Sequence, residues 1–237
     1  MFVGHYAVGL AGKRVAPQLS LGTLVLAALF ADLLFWVLLL AGIEHFAIKL
    51  GITVTNALDL YDYPISHSLT TDAVWGALLA TPYYLVRKDG RAGLVIFVAV
   101  LSHWLLDFIA HRADMPLAPS IPRYYGLGLY NSRPGMIAVE GLIWLGGIVI
   151  YLRETRSMKR IGTYVFWTGV AVLTWLWLVS LNGLAPPGSI VKTGISSLVF
   201  MLLTVAWAYW VDGLRTSRSK ASAHDIASSA EPGGLTE

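Results

Sequence analysis

The stretch Ser102-His103-Trp104-Leu105-Leu106-Asp107-Phe108-Ile109-Ala110-His111-Arg112 closes an apolar run that begins near Gly93. On a helix, positions 103, 107 and 111 recur every fourth residue, so two imidazoles and a carboxylate share one stripe. The surrounding segment is apolar enough to cross a bilayer, where an ionisable side chain costs about 2.5 kcal/mol or more at mid-depth. The stripe must face a protein interior, a water-filled cavity or a metal ion rather than acyl chains.

The rest of the chain has the same character. Of 237 residues, 56% are hydrophobic and 13% charged, against about 25% charged in a soluble domain. Mean hydropathy is +0.65, which predicts an integral membrane protein. Cysteine is absent, which excludes disulfides and thiolate metal sites. Any metal must be held by the nitrogen and oxygen of His, Asp and Glu. The net charge of +3 comes from basic residues in short loops between apolar runs, where they act as topology signals. No dense basic groove is evident, so nucleic acid is not an expected partner. The first apolar stretch lacks a basic leader and contains His5, so no cleavable signal peptide is expected.

Hydropathy predicts an all-α fold, a polytopic transmembrane helical bundle of about six spans plus a short N-terminal half-helix. The half-helix covers residues 2–12 and ends at Gly12-Lys13-Arg14. The spans cover residues 19–42, 66–86, 93–111, 135–152, 162–181 and 190–210. Basic residues concentrate at Lys13 and Arg14, Arg87 to Arg91, Arg153 to Arg160, and Arg215 to Lys220. The positive-inside rule makes that side cytoplasmic, with the C-terminus on it. The opposite side holds the two longest connections, 43–65 and 112–134, and long connections in a compact domain usually carry function. Residues 1–212 thus read as one transmembrane domain with a metal site within 1–140. Residues 213–237, including His224, read as a disordered cytoplasmic tail.

Ionisable residues cluster in the first half of the chain. Asp32 lies mid-span, and His67 opens the second span with Asp72 about one and a half turns deeper. His103 and Asp107 lie in the outer half of the third span, and Glu140 enters the fourth at similar depth. His5 joins them only if the half-helix points its first residues inward. His103 and Asp107, with Asp32 and His67, supply two nitrogens and two oxygens at compatible depth, a set suited to a metal ion. His111, beside Arg112 at the membrane edge, reads as interfacial or as a further ligand. Asp72 and Glu140, each taken alone, equally fit a role in ordering the bundle.

Gly4-His5-Tyr6, Ala31-Asp32, Ser66-His67-Ser68-Leu69, and Ser102-His103 followed by Asp107 resemble, in order and spacing, the bacterial membrane-bound metal-dependent hydrolases, also described as LexA-regulated inner-membrane hydrolases. That family is similar in turn to zinc-dependent phospholipases C and single-strand nucleases. The resemblance covers residues 1–140 and implies that His5, Asp32, His67, His103 and Asp107 bind one to three divalent cations, zinc foremost. It implies a phosphoesterase in the bacterial inner membrane, and a site near the outer face suits a lipid or lipid-linked phosphate as substrate. Asp72 or Glu140 would be the general base or orient a ligand, and Trp104, Phe108 and Trp144 would contact the substrate's tail. The chain departs from the family in reading Asp32-Leu33-Leu34-Phe35 where an Asp-x-Asp-His run is common. It also has Asp62 where a His is common and Ser66 where a Thr is. Asp62 would then be an oxygen ligand replacing an imidazole, or the site would hold fewer metals.

Two other classes use the same residues. A proton or cation transporter would need buried Asp/His chains, although transporters often repeat such features in both halves. A non-catalytic membrane scaffold would use them only to join helices.

Overall fold

A computed structural model describes residues 1–186 and 188–218. The fold is mostly helical. The helices are α1 Val3–Val15, α2 Leu21–Ala28, α3 Phe30–Leu40, α4 Pro64–His67, α5 Leu69–Arg87, α6 Gly90–Ala110, α7 Arg133–Glu154, α8 Arg160–Ser180 and α9 Ile190–Gly213. Helices α6, α7, α8 and α9 are long and apolar enough to cross a membrane, and α2 with α3 makes a fifth such unit if the bent pair is counted as one. The six-span expectation therefore fails at residues 66–86. Helix α5 begins Leu69-Thr70-Thr71-Asp72 and carries Pro82 and Arg87, and these polar residues dilute its apolar character. Only 17% of the apolar window of α9 is buried, and Leu203 and Trp210 stand exposed. Such a surface requires a hydrocarbon surround.

Three two-stranded antiparallel ribbons depart from a purely helical fold. Strand β1, His45–Ile48, pairs with β2, Leu58–Asp62, and β3, Met115–Pro116, pairs with β4, Tyr124–Tyr125. These two ribbons lie within the two longest connections. Strand β5, Thr155–Ser157, pairs with β6, Arg215–Ser217, so regular structure reaches Ser217 inside the segment expected to be tail. Residues 219–237, with His224, lie outside the described residues.

The α2–α3 pair bends by 57° at Leu29, with neither Gly nor Pro at the break. His103 Nδ1 lies 2.9 Å from the carbonyl of Ala28, the last residue of α2. A side chain inserted into the carbonyl ladder is a recognised cause of a kink, and a helix's last carbonyls lack partners of their own. The kink is thus coupled to a histidine from α6.

Helix α1 runs through the middle of the bundle, and His5, Tyr6, Ala7, Gly9 and Leu10 are all buried. It is clamped at both ends. Glu140 of α7 accepts from the backbone N–H of Phe2 at 2.5 Å and Gly4 at 3.1 Å, which supplies the cap the first turn lacks. At the other end Lys13 Nζ donates to the Leu19 carbonyl at 2.8 Å and to Asp212 of α9 at 2.7 Å. Gly147 of α7 permits the close approach, because a Cβ there would stand 2.7 Å from Ala7 Cα. Pinned in this way, α1 brings His5 to the same depth as His103.

Candidate metal centre

Three elements bring one donor each, and α6 with its C-cap His111 brings three. His5 comes from α1, Asp32 from α3, His67 from the end of α4, and His103, Asp107 and His111 from successive turns of α6. The one-turn helix α4 begins with Pro64, whose fixed φ suits a helix start. It ends at Ser68, whose hydroxyl caps α5 by accepting from Thr71 N. The sharp change between these helices turns His67 into the bundle.

Asp107 is the hub. Its Oδ1 lies 3.2 Å from His5 Nε2, and its Oδ2 lies 3.4 Å from His103 Nε2, 3.7 Å from His111 Nε2 and 3.9 Å from His67 Nε2. Asp32 Oδ1 lies 3.5 Å from His67 Nε2 and 3.6 Å from His103 Nε2. Asp32, His67, Asp107 and His103 thus form a closed ring of alternating carboxylates and imidazoles. The His5 and His103 rings stack with centroids 3.8 Å apart. The Met1 nitrogen lies 3.1 Å from His5 Nε2 and forms an ion pair with Asp107.

The ring spacings fit a shared cation better than hydrogen bonds. Hydrogen bonds between nitrogen and oxygen cluster near 2.9–3.0 Å. Two ligands each about 2.1 Å from one tetrahedral zinc stand about 3.4 Å apart. The ring edges run from 3.4 to 3.9 Å, and His103 Nε2 has no hydrogen-bond partner.

Groups outside the ring fix which nitrogen faces in. His103 Nδ1 is held by the Ala28 carbonyl, and His111 Nδ1 lies 3.1 Å from Asp114 Oδ1. Both acceptors require N–H on Nδ1 and leave the lone pair on Nε2. His67 is set through a relay. Ser66 Oγ donates to Glu44 Oε2 at 2.6 Å, and with its one proton so committed it accepts from His67 Nδ1 at 2.7 Å. Glu44 is fully buried and also takes the backbone N–H of Ile65 and Ser66 at 2.7 and 2.9 Å. Three Nε2 lone pairs therefore face Asp107 Oδ2, an arrangement that is costly without a proton or a cation between them.

These residues, with Asp32 and Asp107, form two overlapping sets that could hold a metal ion: His5, His103 and Asp107, and Asp32, His67 and His103. One Nε2 lone pair serves one ion, so the two sets compete for His103. Asp32 alone among the members is open to the outside, with 24% of its side chain exposed, whereas His5, His67, His103 and Asp107 show 4% or less.

Other expected site residues lie elsewhere. Asp62, at the end of β2, pairs with His45 Nδ1 at 2.8 Å across the ribbon, both half exposed, so it is not a ligand of the cluster. Register places the two opposite each other, and a solvated pair forms at less cost than burial of Asp62. Asp72 is buried but makes no ion pair with the histidines among the described residues. Glu140 caps α1 and accepts from Trp177 Nε1 at 2.7 Å, so both its oxygens are engaged and it does not face the cluster as a free base. Trp104 and Trp144 are core residues, donating to the Pro116 carbonyl and to Thr174 Oγ1.

Sequence reasoning missed Glu44, Asp114 and the Ala28 carbonyl. Glu44 gave no signal beyond being a lone acid at the start of a long connection. Tyr130 lies beside the site with its ring 5.2 Å from that of His111. Burial first, then the charges of Asp107 and Glu140, hold its phenol well above the ordinary tyrosine range, so it remains a hydroxyl donor. Outer partners of metal-bound histidines typically govern affinity by 10–100-fold. Replacing Glu44 by glutamine is therefore expected to weaken metal binding by about 10-fold or more while the helical content is kept, as read by equilibrium dialysis against zinc.

No family model, curated protein or solved structure matches the chain.

Proposed function

We propose that the protein is a membrane-embedded, zinc-dependent phosphoester hydrolase of the bacterial inner membrane, acting on a lipid or lipid-linked phosphate. The observation that carries the reading is the inward set of three Nε2 lone pairs around Asp107, each fixed by a partner on its far nitrogen. His103 would hold the ion either with His5 and Asp107 or with Asp32 and His67, and His111 borders them. Nitrogen-rich ligation without thiolates favours zinc among common divalent ions. Bound there, zinc would lower the pKa of water toward 7 and neutralise charge on a phosphoryl oxygen.

The chain's own groups account for the rest. Asp32 borders the opening, and its Oδ2 would accept a proton from the attacking water. The water oxygen forms the new bond to phosphorus as the ester P–O bond breaks, and a proton passes to the leaving alcohol. The Tyr130 hydroxyl, held protonated, would donate a hydrogen bond to the phosphate. The buried rim excludes bulk water and so strengthens these contacts. The basic-residue distribution supports a topology with the C-terminus in the cytoplasm and the cluster toward the outer face.

The test is elemental analysis of the detergent-purified protein together with turnover of a chromogenic phosphodiester. One equivalent of zinc or more, activity abolished by chelator and restored by zinc, and loss of both in His103→Ala are the expected results. A folded protein that takes up no divalent metal would overturn the reading and leave the cluster as an internal ion-pair network. A chelator-insensitive ion flux in liposomes would replace it with transport.

A further inference from the structure

Two cavities lie in file along α8 and α9 and share Phe200 in their walls, the first lined as well by residues 55–58 and by Met136 and Glu140 of α7. The first, about 550 Å³, begins beside the cluster at Met1, Tyr130 and Glu140 and passes Ser197 and Met201. The second, about 510 Å³, continues along the same helix pair past Gly169, Val172, Leu203 and Trp207. The crevice changes character along its length. Near the cluster its walls include Asn56, Ser180 and Ser196, whereas beyond Phe200 they are almost wholly apolar. Arg133 stands at the polar end, where its Nε donates to the Leu181 carbonyl at 3.0 Å.

Helices packed ridge into groove ordinarily leave no such lane. Here Trp207 Nε1 bonds the Val165 carbonyl at 3.0 Å, and the large ring props α9 off α8 against Gly169. A passage that is polar at a cluster of metal-ligand type, apolar for the rest, and open along helices long enough to cross a membrane matches one kind of molecule. That molecule has a polar head and a hydrocarbon tail, and the bilayer supplies it.

Resting on the hydrolase reading, we propose that the substrate is a single-chain lipid phosphate. Its phosphate sits between Tyr130 and the His/Asp cluster, and its chain lies in the α8–α9 crevice past Phe200. Beyond Phe200 the walls come from α8 and α9 alone, a single lane that suits one chain rather than two. The tail contacts expected from Trp104 and Trp144 pass instead to α8 and α9, since both of those indoles are engaged in the core.

The test places the full chain in phosphatidylcholine nanodiscs and photolabels it with hexadecyl phosphate bearing a diazirine at the chain end. Label is expected on buried crevice residues such as Leu173 and Thr204, displaced by excess unlabelled hexadecyl phosphate but not by hexadecanol. Ser197→Trp, which fills the polar neck, is expected to abolish that displaceable label while bound zinc stays at the wild-type level. Label spread equally onto lipid-facing Leu142 and Leu145 of α7, label indifferent to the phosphate competitor, or label undiminished in Ser197→Trp would each overturn the proposal. Zinc content is read in the same preparation. Zinc bound with scattered label removes the crevice and keeps the hydrolase, whereas displaceable label without any metal keeps the lipid seat and removes the hydrolase.

Discussion

Asp107→Asn is expected to abolish stoichiometric zinc and to lower the thermal stability of the metal-free protein. Four imidazoles and the Met1 nitrogen converge on this one carboxylate. Asparagine keeps the shape but removes the charge, and its amide nitrogen points a donor where an acceptor is needed. A cation whose buried counter-charge is deleted costs about 3–5 kcal/mol. Metal affinity should fall by more than the roughly 100-fold upper range seen for outer partners, because Asp107 would touch the ion itself. Elemental analysis and a thermal melt in detergent read both effects. Wild-type zinc content in a folded Asp107→Asn protein would refute the assignment of this carboxylate as a ligand.

Glu140→Ala is expected to damage the fold more than the chemistry. The substitution leaves the Phe2 and Gly4 backbone N–H groups and the Trp177 indole without their acceptor. Each unsatisfied buried donor costs about 1–3 kcal/mol, so the loss should reach several kcal/mol. Helix α1 would fray from its first turn and carry His5 away from Asp107. The expected signature is a lower melting temperature and faster proteolysis near residues 1–12, with zinc weakened but restored at high metal concentration. Glu140→Gln, which keeps one acceptor oxygen, should fall between the two. If Glu140 were instead the catalytic base, Glu140→Ala would melt like the wild type and lose only turnover.

The stripe on α6 was legible because four-residue spacing on an apolar helix leaves charged groups nowhere else to go. That logic holds wherever lipid penalises an idle charge, and it brings His103 and Asp107 into one cluster with Asp32 and His67. It gives no guidance in water-facing connections. Asp62 resembled a ligand only by position, and in the ribbon its neighbour across the strands, His45, is the nearer partner. The kink at Leu29 was invisible because its cause sits 75 residues away in His103, whereas local breakers such as Gly and Pro are absent. Helix α5 had the length of a span but not the composition once Thr70, Thr71 and Asp72 entered its first turn. Glu140 was legible as a buried acid, but its role was not, because the groups it serves are backbone N–H atoms of a distant segment.

The clamps on α1 also constrain the order of assembly. The groups that hold its two ends, Glu140 and Asp212, follow their partners by 136 and 199 residues. During synthesis the earliest helix must therefore wait, without its final lodging, until α7 and then α9 have emerged. His5 is held in the cluster only once α7 has supplied Glu140. A ribosome-bound fragment ending before α9 would lack the Asp212 latch, so the far end of α1 would be secured late, after α7 is in place.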